Sequence, residues 1–99
     1  MRKRQSVPSQ ADAERIALAA LAFLAEDATR LARFLALTGI GPAELRAGAA
    51  DGSINGAVLD HLMADESLLL VFAAENAISP PDIQIAHALL TGRREVDEA

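Results

Sequence analysis

Three phenylalanines, Phe23, Phe34 and Phe72, are the whole aromatic content of this 99-residue chain, yet 52% of its residues are hydrophobic. A core made from such material has to be aliphatic, built from Leu, Ile and abundant Ala. Alanine and leucine lose little on entering a helix, and the β-branched and aromatic residues that favour strands are scarce here. The expected fold class is therefore all-α, a compact orthogonal bundle of five or six short helices. Charged residues make up 23% and mean hydropathy is +0.21, a balance that allows a buried core rather than a disordered chain. The length accommodates one domain.

The chain has no cysteine. That excludes disulfide scaffolds, thiol catalysis, iron–sulfur clusters and thiolate zinc sites, and it fits a cytoplasmic chain. The basic residues Arg2, Lys3 and Arg4 precede an apolar run from Ile16 to Ala25. Pro8, Asp12, Glu14 and Arg15 intervene, which argues against a secretory signal. The run is also well short of the roughly 18–20 residues that span a bilayer, so the reading is a core helix with no membrane partner. Net charge is −5, unevenly spread. Residues 1–9 hold three basic groups and no acid, whereas residues 10–92 set Arg15, Arg30, Arg33 and Arg46 against eleven acids. An acidic body opposes general binding to phosphate backbones.

Punctuation divides the chain into six helical segments between a flexible basic arm (residues 1–9) and a flexible charged tail (residues 93–99). Ser9 caps the first segment, which runs to about Glu26 and is expected to be central and buried on most sides, because polar groups nearly vanish after Arg15. Asp27 caps the second, Ala28 to Thr38. There Ala28, Leu31, Phe34, Leu35 and Thr38 form one face, and Gly39 takes the left-handed closing position. Pro42 opens a short third helix to about Ala49, followed by a turn at Ala50–Gly52. Ser53 caps a fourth, Ile54 to Ala64, and Asp65 a fifth, ending at Asn76; the alternative is one bent helix, since nothing between them forbids continuation. The run Leu68–Phe72 is apolar all round and reads as core rather than as the lining of a partner groove. The last helix spans Pro80 to Thr91 and ends at Gly92.

Residues 34–45 echo residues 72–83 at an offset of 38. Each contains a helix end, an isoleucine, a cap residue, a proline, a spacer, an acid and an apolar residue. Ile40 is placed to staple to Leu45 across the cap, and Ile78 to Ile83 across Ser79 and Pro80. Glu44 and Asp82 fall on the third helical position, where a carboxylate complements free amides and the helix dipole. Two uses of one helix-entry solution explain the echo without a duplication.

His61 and Asp65 lie four apart with Glu66 adjoining, a spacing that can put two metal ligands on one helix face. No convergent third ligand is evident, so the preferred reading is an exposed polar edge, with no metal and no cofactor. His87 shares the inner face of the last helix with Ile83, Ala86 and Leu90, and reads as a partly buried histidine bonded to a neighbour. The segment Leu37-Thr38-Gly39-Ile40-Gly41-Pro42 resembles the hairpin of helix-hairpin-helix DNA-binding modules, in which backbone amides meet a phosphate. Leu45 stands where that motif wants a small residue, and Arg46 is the one basic residue nearby. Candidate nucleic-acid contacts are therefore Arg2, Lys3, Arg4, Gly39 and Gly41.

Three blocks carry a wider resemblance: Ala17–Ala25; Arg33–Ile40 with Pro42, Leu45 and Arg46; and Val58–Asp60 with Asp65–Leu70. Together they make the chain similar to a family of short, all-helical alphaproteobacterial proteins known as a domain of unknown function, across roughly residues 13–92. The resemblance implies a compact cytoplasmic helical protein and brings no activity with it. With no catalytic constellation, the expected function is non-enzymatic: an interaction or adaptor module acting on a protein partner or by self-association, possible homodimer included. The alternative is a nucleic-acid accessory protein using the basic arm and the Gly39–Pro42 turn.

Overall fold

Small polar residues start most of the helices, and left-handed residues end most of them. A computed structural model describes residues 7–92, which fold into α1 (Gln10–Ala25), α2 (Ala28–Thr38), α3 (Pro42–Asp51), α4 (Asn55–Met63), α5 (Glu66–Asn76) and α6 (Pro80–Thr91), with no strand among them. The result is an all-α bundle. Ser9 and Asp12 form a reciprocal cap on α1: the Asp12 amide donates to Ser9 Oγ at 3.1 Å and the Ser9 amide donates to Asp12 Oδ2 at 2.9 Å. The Ser9 amide is also the main reason why the Asp12 carboxyl titrates below its ordinary range. Asp27 Oδ1 accepts the Thr29 and Arg30 amides, Asp65 Oδ1 accepts the Leu68 amide, and Ser79 Oγ accepts the Asp82 amide. Each bond satisfies an amide that the first helical turn leaves without a partner.

Helix α1 lies at the centre and packs against α6, α4, α2 and α5. Its buried residues are Ala13, Ala17, Ala20, Phe23 and Leu24, a single stripe. The expectation that α1 is buried on most sides is therefore corrected: Leu18 is 56% exposed, and Ala22 and Ala25 are open as well. The alanines let α4 and α6 approach along one face, leaving the other side of the helix uncovered. At the far end of the stripe the Phe23 and Phe72 rings meet at 5.4 Å between centroids. The Arg30 guanidinium sits 4.0 Å from the centre of the Phe23 ring, and its Nη1 donates to the Phe23 carbonyl, which closes the corner between α1 and α2. Pro8, assigned by the sequence to the arm, is buried.

The α3–α4 connection departs from expectation. Helix α3 continues through Ala50 and Asp51, which had read as a turn, and Gly52 closes it at φ 80°. Ser53 does not cap α4. Its amide donates to Asp51 Oδ1 at 2.9 Å, and Ile54 occupies the cap position with its side chain buried. The cause is Gly48: a Cβ there would fall 2.2 Å from Ile54 Cγ2, so Ile54 fills the space that the glycine leaves. Helices α4 and α5 are two helices, divided by Asp65 in extended conformation (φ −135°, ψ 95°).

Both echoed corners end a helix with a left-handed residue, through different hydrogen-bond patterns. Gly39 closes α2 at φ 77° with its amide on the Leu35 carbonyl, and Ala77 closes α5 at φ 55°. At the second corner the Ile78 amide donates to the Ala73 carbonyl and the Ala77 amide to the Ala74 carbonyl, the paired bonds of a Schellman ending. Ile40 and Leu45, like Ile78, pack half-buried against the core, and Ile83 lies inside it. An alanine at positive φ carries a steric cost that glycine avoids. Ala77→Gly should therefore raise the unfolding free energy by about 0.5–1 kcal/mol. Gly48→Ala should lower it by about 1–2 kcal/mol, overpacking against Ile54 outweighing the gain in helix propensity. Urea denaturation of both variants checks these signs.

Candidate functional site

The Gly39–Pro42 turn spends its amides internally. The Gly39 amide donates to the Leu35 carbonyl at 2.9 Å, the Ile40 amide to Thr38 Oγ1 at 3.2 Å and the Gly41 amide to Glu44 Oε1 at 2.8 Å. The last acceptor is a carboxylate placed at the amide that a phosphate would approach. Gly41 has φ −87°, a conformation open to any residue, so its glycine character is not demanded by the backbone. Arg46 is exposed one turn away on α3. Arg2, Lys3 and Arg4 lie outside the described residues.

His61 overturns the reading of an exposed polar edge. It is 9% exposed, on the core side of α4 with Val58, Leu59 and Leu62. Its ring meets Phe34 edge-on, with centroids 5.2 Å apart and planes at 80°. Its Nε2 is buried without a hydrogen-bond partner. The signal was present in the sequence: Ile54, Val58, His61 and Leu62 stand at i, i+4, i+7 and i+8, one continuous helical face. Burial pushes the imidazole pKa below its ordinary 6.5, the Arg33 charge pushes it further down, and Asp65 acts the other way. Asp65 itself serves as the cap of α5, and Glu66 is exposed. Among the described residues, no three His, Cys, Asp or Glu side chains converge as a metal site would require.

His87 sits on α6 as expected, partly buried, and its partner is Asp60 of α4: Nε2 to Oδ1 is 2.5 Å. Twenty-seven positions separate the two residues, so no local pattern marks the pairing. The imidazole side chain is 16% exposed and the carboxylate 55%, so the bond joins α4 to α6 at the edge of the core. It has the form of a structural tie.

The outer side of α5 is the unexpected surface. The expectation that the run Leu68–Phe72 is wholly buried is corrected: Leu69 and Phe72 enter the core, Leu68 is half-buried, and Leu70 and Val71 are 48% and 42% exposed. Helix α5 lies on the periphery with one side in contact with the bundle, so an all-apolar helix must leave its other side in solvent. Ser67 and Ala74 are exposed too. With Leu70 and Val71 they occupy i, i+3, i+4 and i+7, a stripe without charge. A third exposed leucine, Leu37 at 66%, borders a groove of about 250 Å³ between α2 and α4, lined also by Ala57 and Ala64.

A helical bundle whose surface offers apolar side chains and whose histidines are engaged in packing belongs to the class of small helical domains. The chain matches the family described as Protein of unknown function (DUF3572) over residues 10–93, and it belongs to that family. No curated protein and no solved structure matches it. No helix is long and apolar enough to cross a membrane among the described residues.

The His61 environment sets a pH dependence. A folded pKa below 6.5 means that the unfolded chain binds the proton more readily. Stability should be level above 6.5 and fall as pH drops from there toward the folded pKa. His61→Leu should remove that part of the slope. Urea titrations of both proteins from pH 8 to pH 5 isolate the difference; parallel curves would refute the assignment.

Proposed function

We propose that this chain is a non-catalytic helical interaction module of the cytoplasm, which binds a protein partner or a second copy of itself through the outer side of α5. The observation that carries the reading is the uncharged stripe of Ser67, Leu70, Val71 and Ala74 on a helix whose opposite side is anchored by Leu69, Phe72 and Ala73. Two large apolar residues held outward on a rigid helix supply anchors of the kind that helix-in-groove recognition uses. Small residues on either side let another helix come close. The anchored side keeps the stripe in one orientation, so association does not have to order it first.

Leu70→Glu and Val71→Lys test the reading. Because both side chains point outward, the variants should keep the helical circular dichroism and the cooperative unfolding of the natural chain. Each should reduce association at least tenfold, whether measured as a shift in the self-association midpoint by light scattering or as loss of partner capture. A natural chain that stays monomeric at high concentration and captures no partner would sink the proposal. Salt-sensitive binding to a DNA duplex, lost on neutralising Arg2, Lys3 and Arg4, would favour the nucleic-acid reading instead.

A further inference from the structure

Helix α5 is uncovered along two rows of its outer side. One runs from Glu66 to Leu70 and the other from Ser67 through Val71 to Glu75, each step one helical turn, and all five residues are exposed. Carboxylates therefore bracket the two large apolar side chains, Glu66 one turn before Leu70 and Glu75 one turn after Val71. The helix carries no basic residue. Glu66 and Glu75 stand about 14 Å apart along its axis.

Glu75 also borders a groove of about 300 Å³ between the last turns of α1 and α5. Ala19, Ala22 and Phe23 line its apolar part, Glu26 and Glu75 its charged part, and no basic residue lines it. Glu26 directly follows α1, and Glu75 lies in the last turn of α5, so each carboxylate sits at the negative end of a helix dipole. Such a position disfavours the helix, and neither helix has a basic residue in its last turn to offset it. The ion pairs among the described residues are Arg15–Asp12 and His87–Asp60, both away from this groove. Arg30 is committed to the ring and the carbonyl of Phe23. Two full charges and two helix ends thus concentrate negative potential where the apolar stripe stops.

A second copy matches this surface poorly. A two-fold axis that pairs α5 with itself antiparallel sets Glu66 opposite Glu75 at both ends, and parallel pairing sets each glutamate opposite its own equivalent. Both arrangements bring like charges together between chains of net charge −5. Resting on α5 as the interaction surface, we propose that its occupant is a cationic amphipathic helix of a partner protein. The apolar side of that helix covers Leu70 and Val71, and one of its lysines or arginines enters the groove between Glu26 and Glu75. The stem of such a side chain lies along apolar surface while its charged end reaches the carboxylates, so one residue uses both parts of the groove. Exposed ion pairs are individually weak and screened by salt. The apolar stripe supplies the affinity, and the carboxylates select the sign of the partner.

The chain has no tryptophan, so a single tryptophan on a synthetic peptide reports binding to the full-length protein. Three helical peptides of about five turns serve as probes: one with a leucine stripe flanked by lysines, the same peptide with glutamates for lysines, and a scrambled lysine peptide without the stripe. The first should bind at least tenfold more tightly than the other two. Glu26→Gln with Glu75→Gln should weaken it several-fold and flatten its salt dependence, and Leu70→Gln with Val71→Gln should abolish it. All four positions are exposed, and circular dichroism verifies that each variant keeps the natural helical content. Equal binding of the lysine and glutamate peptides overturns the cationic helix, as does equal binding of the scrambled peptide or an affinity indifferent to Glu26→Gln with Glu75→Gln. A chain that dimerises alone and is made monomeric by Leu70→Glu assigns the surface to a second copy, which overturns the cationic helix and keeps the interaction function. No binding at millimolar peptide by a chain that stays monomeric removes both.

Discussion

The close approach of helices along Ala13, Ala17 and Ala20 is the constraint on which the rest of this bundle depends. All three are fully buried. Their short side chains sit in the stripe of α1 that packs in one core with Val58, Leu59, Leu62, Ile83 and Ala86 of α4 and α6. Farther along the same stripe the side chains grow: Phe23 and Leu24 fill the wider space where α2 and α5 arrive, and Phe72 closes it. The core is thus tapered, small at the start of α1 and large at its end. All three alanines are fully enclosed, so a larger residue at any of them would overpack the core.

Local chemistry was legible in the sequence, and tertiary direction was not. Ser9, Asp27, Asp65 and Ser79 all cap the helices assigned to them, because a cap is a bond between a side chain and an amide two or three residues away. Gly39 and Gly92 close helices for an equally local reason. Ser53 failed because a distant requirement prevailed: Ile54 had to enter the notch over Gly48, and the cap position moved with it. Leu18, Leu70 and Val71 failed for another reason. When a helix is apolar on every side, periodicity has no phase, and which side meets solvent is decided by where its neighbours lie. For His61 the phase was available, since Ile54, Val58 and Leu62 mark its face; the polarity of the residue concealed it. The Asp60–His87 bond needed the packing of α6 on α4 and had no local signature at all.

His61 shows what a ring-poor core does with a polar ring. Helix α2 places a single side chain fully inside the protein, Phe34, and there it makes a T-shaped contact with the His61 imidazole. An aromatic edge against a ring face is favourable packing, and it is obtained here with a residue whose buried nitrogen finds no partner. The arrangement holds α2 to α4 while the imidazole is neutral. A positive charge there would be buried and would face Arg33, so the contact with Phe34 has the least tolerance for protonation of any in the core.

The distribution of satisfied and unsatisfied groups then separates two kinds of recognition. Backbone amides at the Gly39–Pro42 turn are fully used, one of them by the carboxylate of Glu44, so an incoming anion would first have to displace a bond that also caps α3. The outer side chains of α5 are in the opposite condition. Leu70 and Val71 have already lost conformational freedom by belonging to a helix anchored through Leu69 and Phe72, yet they remain in water. Covering them gains apolar burial at about 25 cal/mol per Å² with little further ordering of the backbone. Displacing the turn's internal bonds would cost free energy before any gain. On this balance the proposed recognition through the side chains of α5 costs less than phosphate binding at the turn, and the corner at Ala77 serves to end the helix that carries Leu70 and Val71.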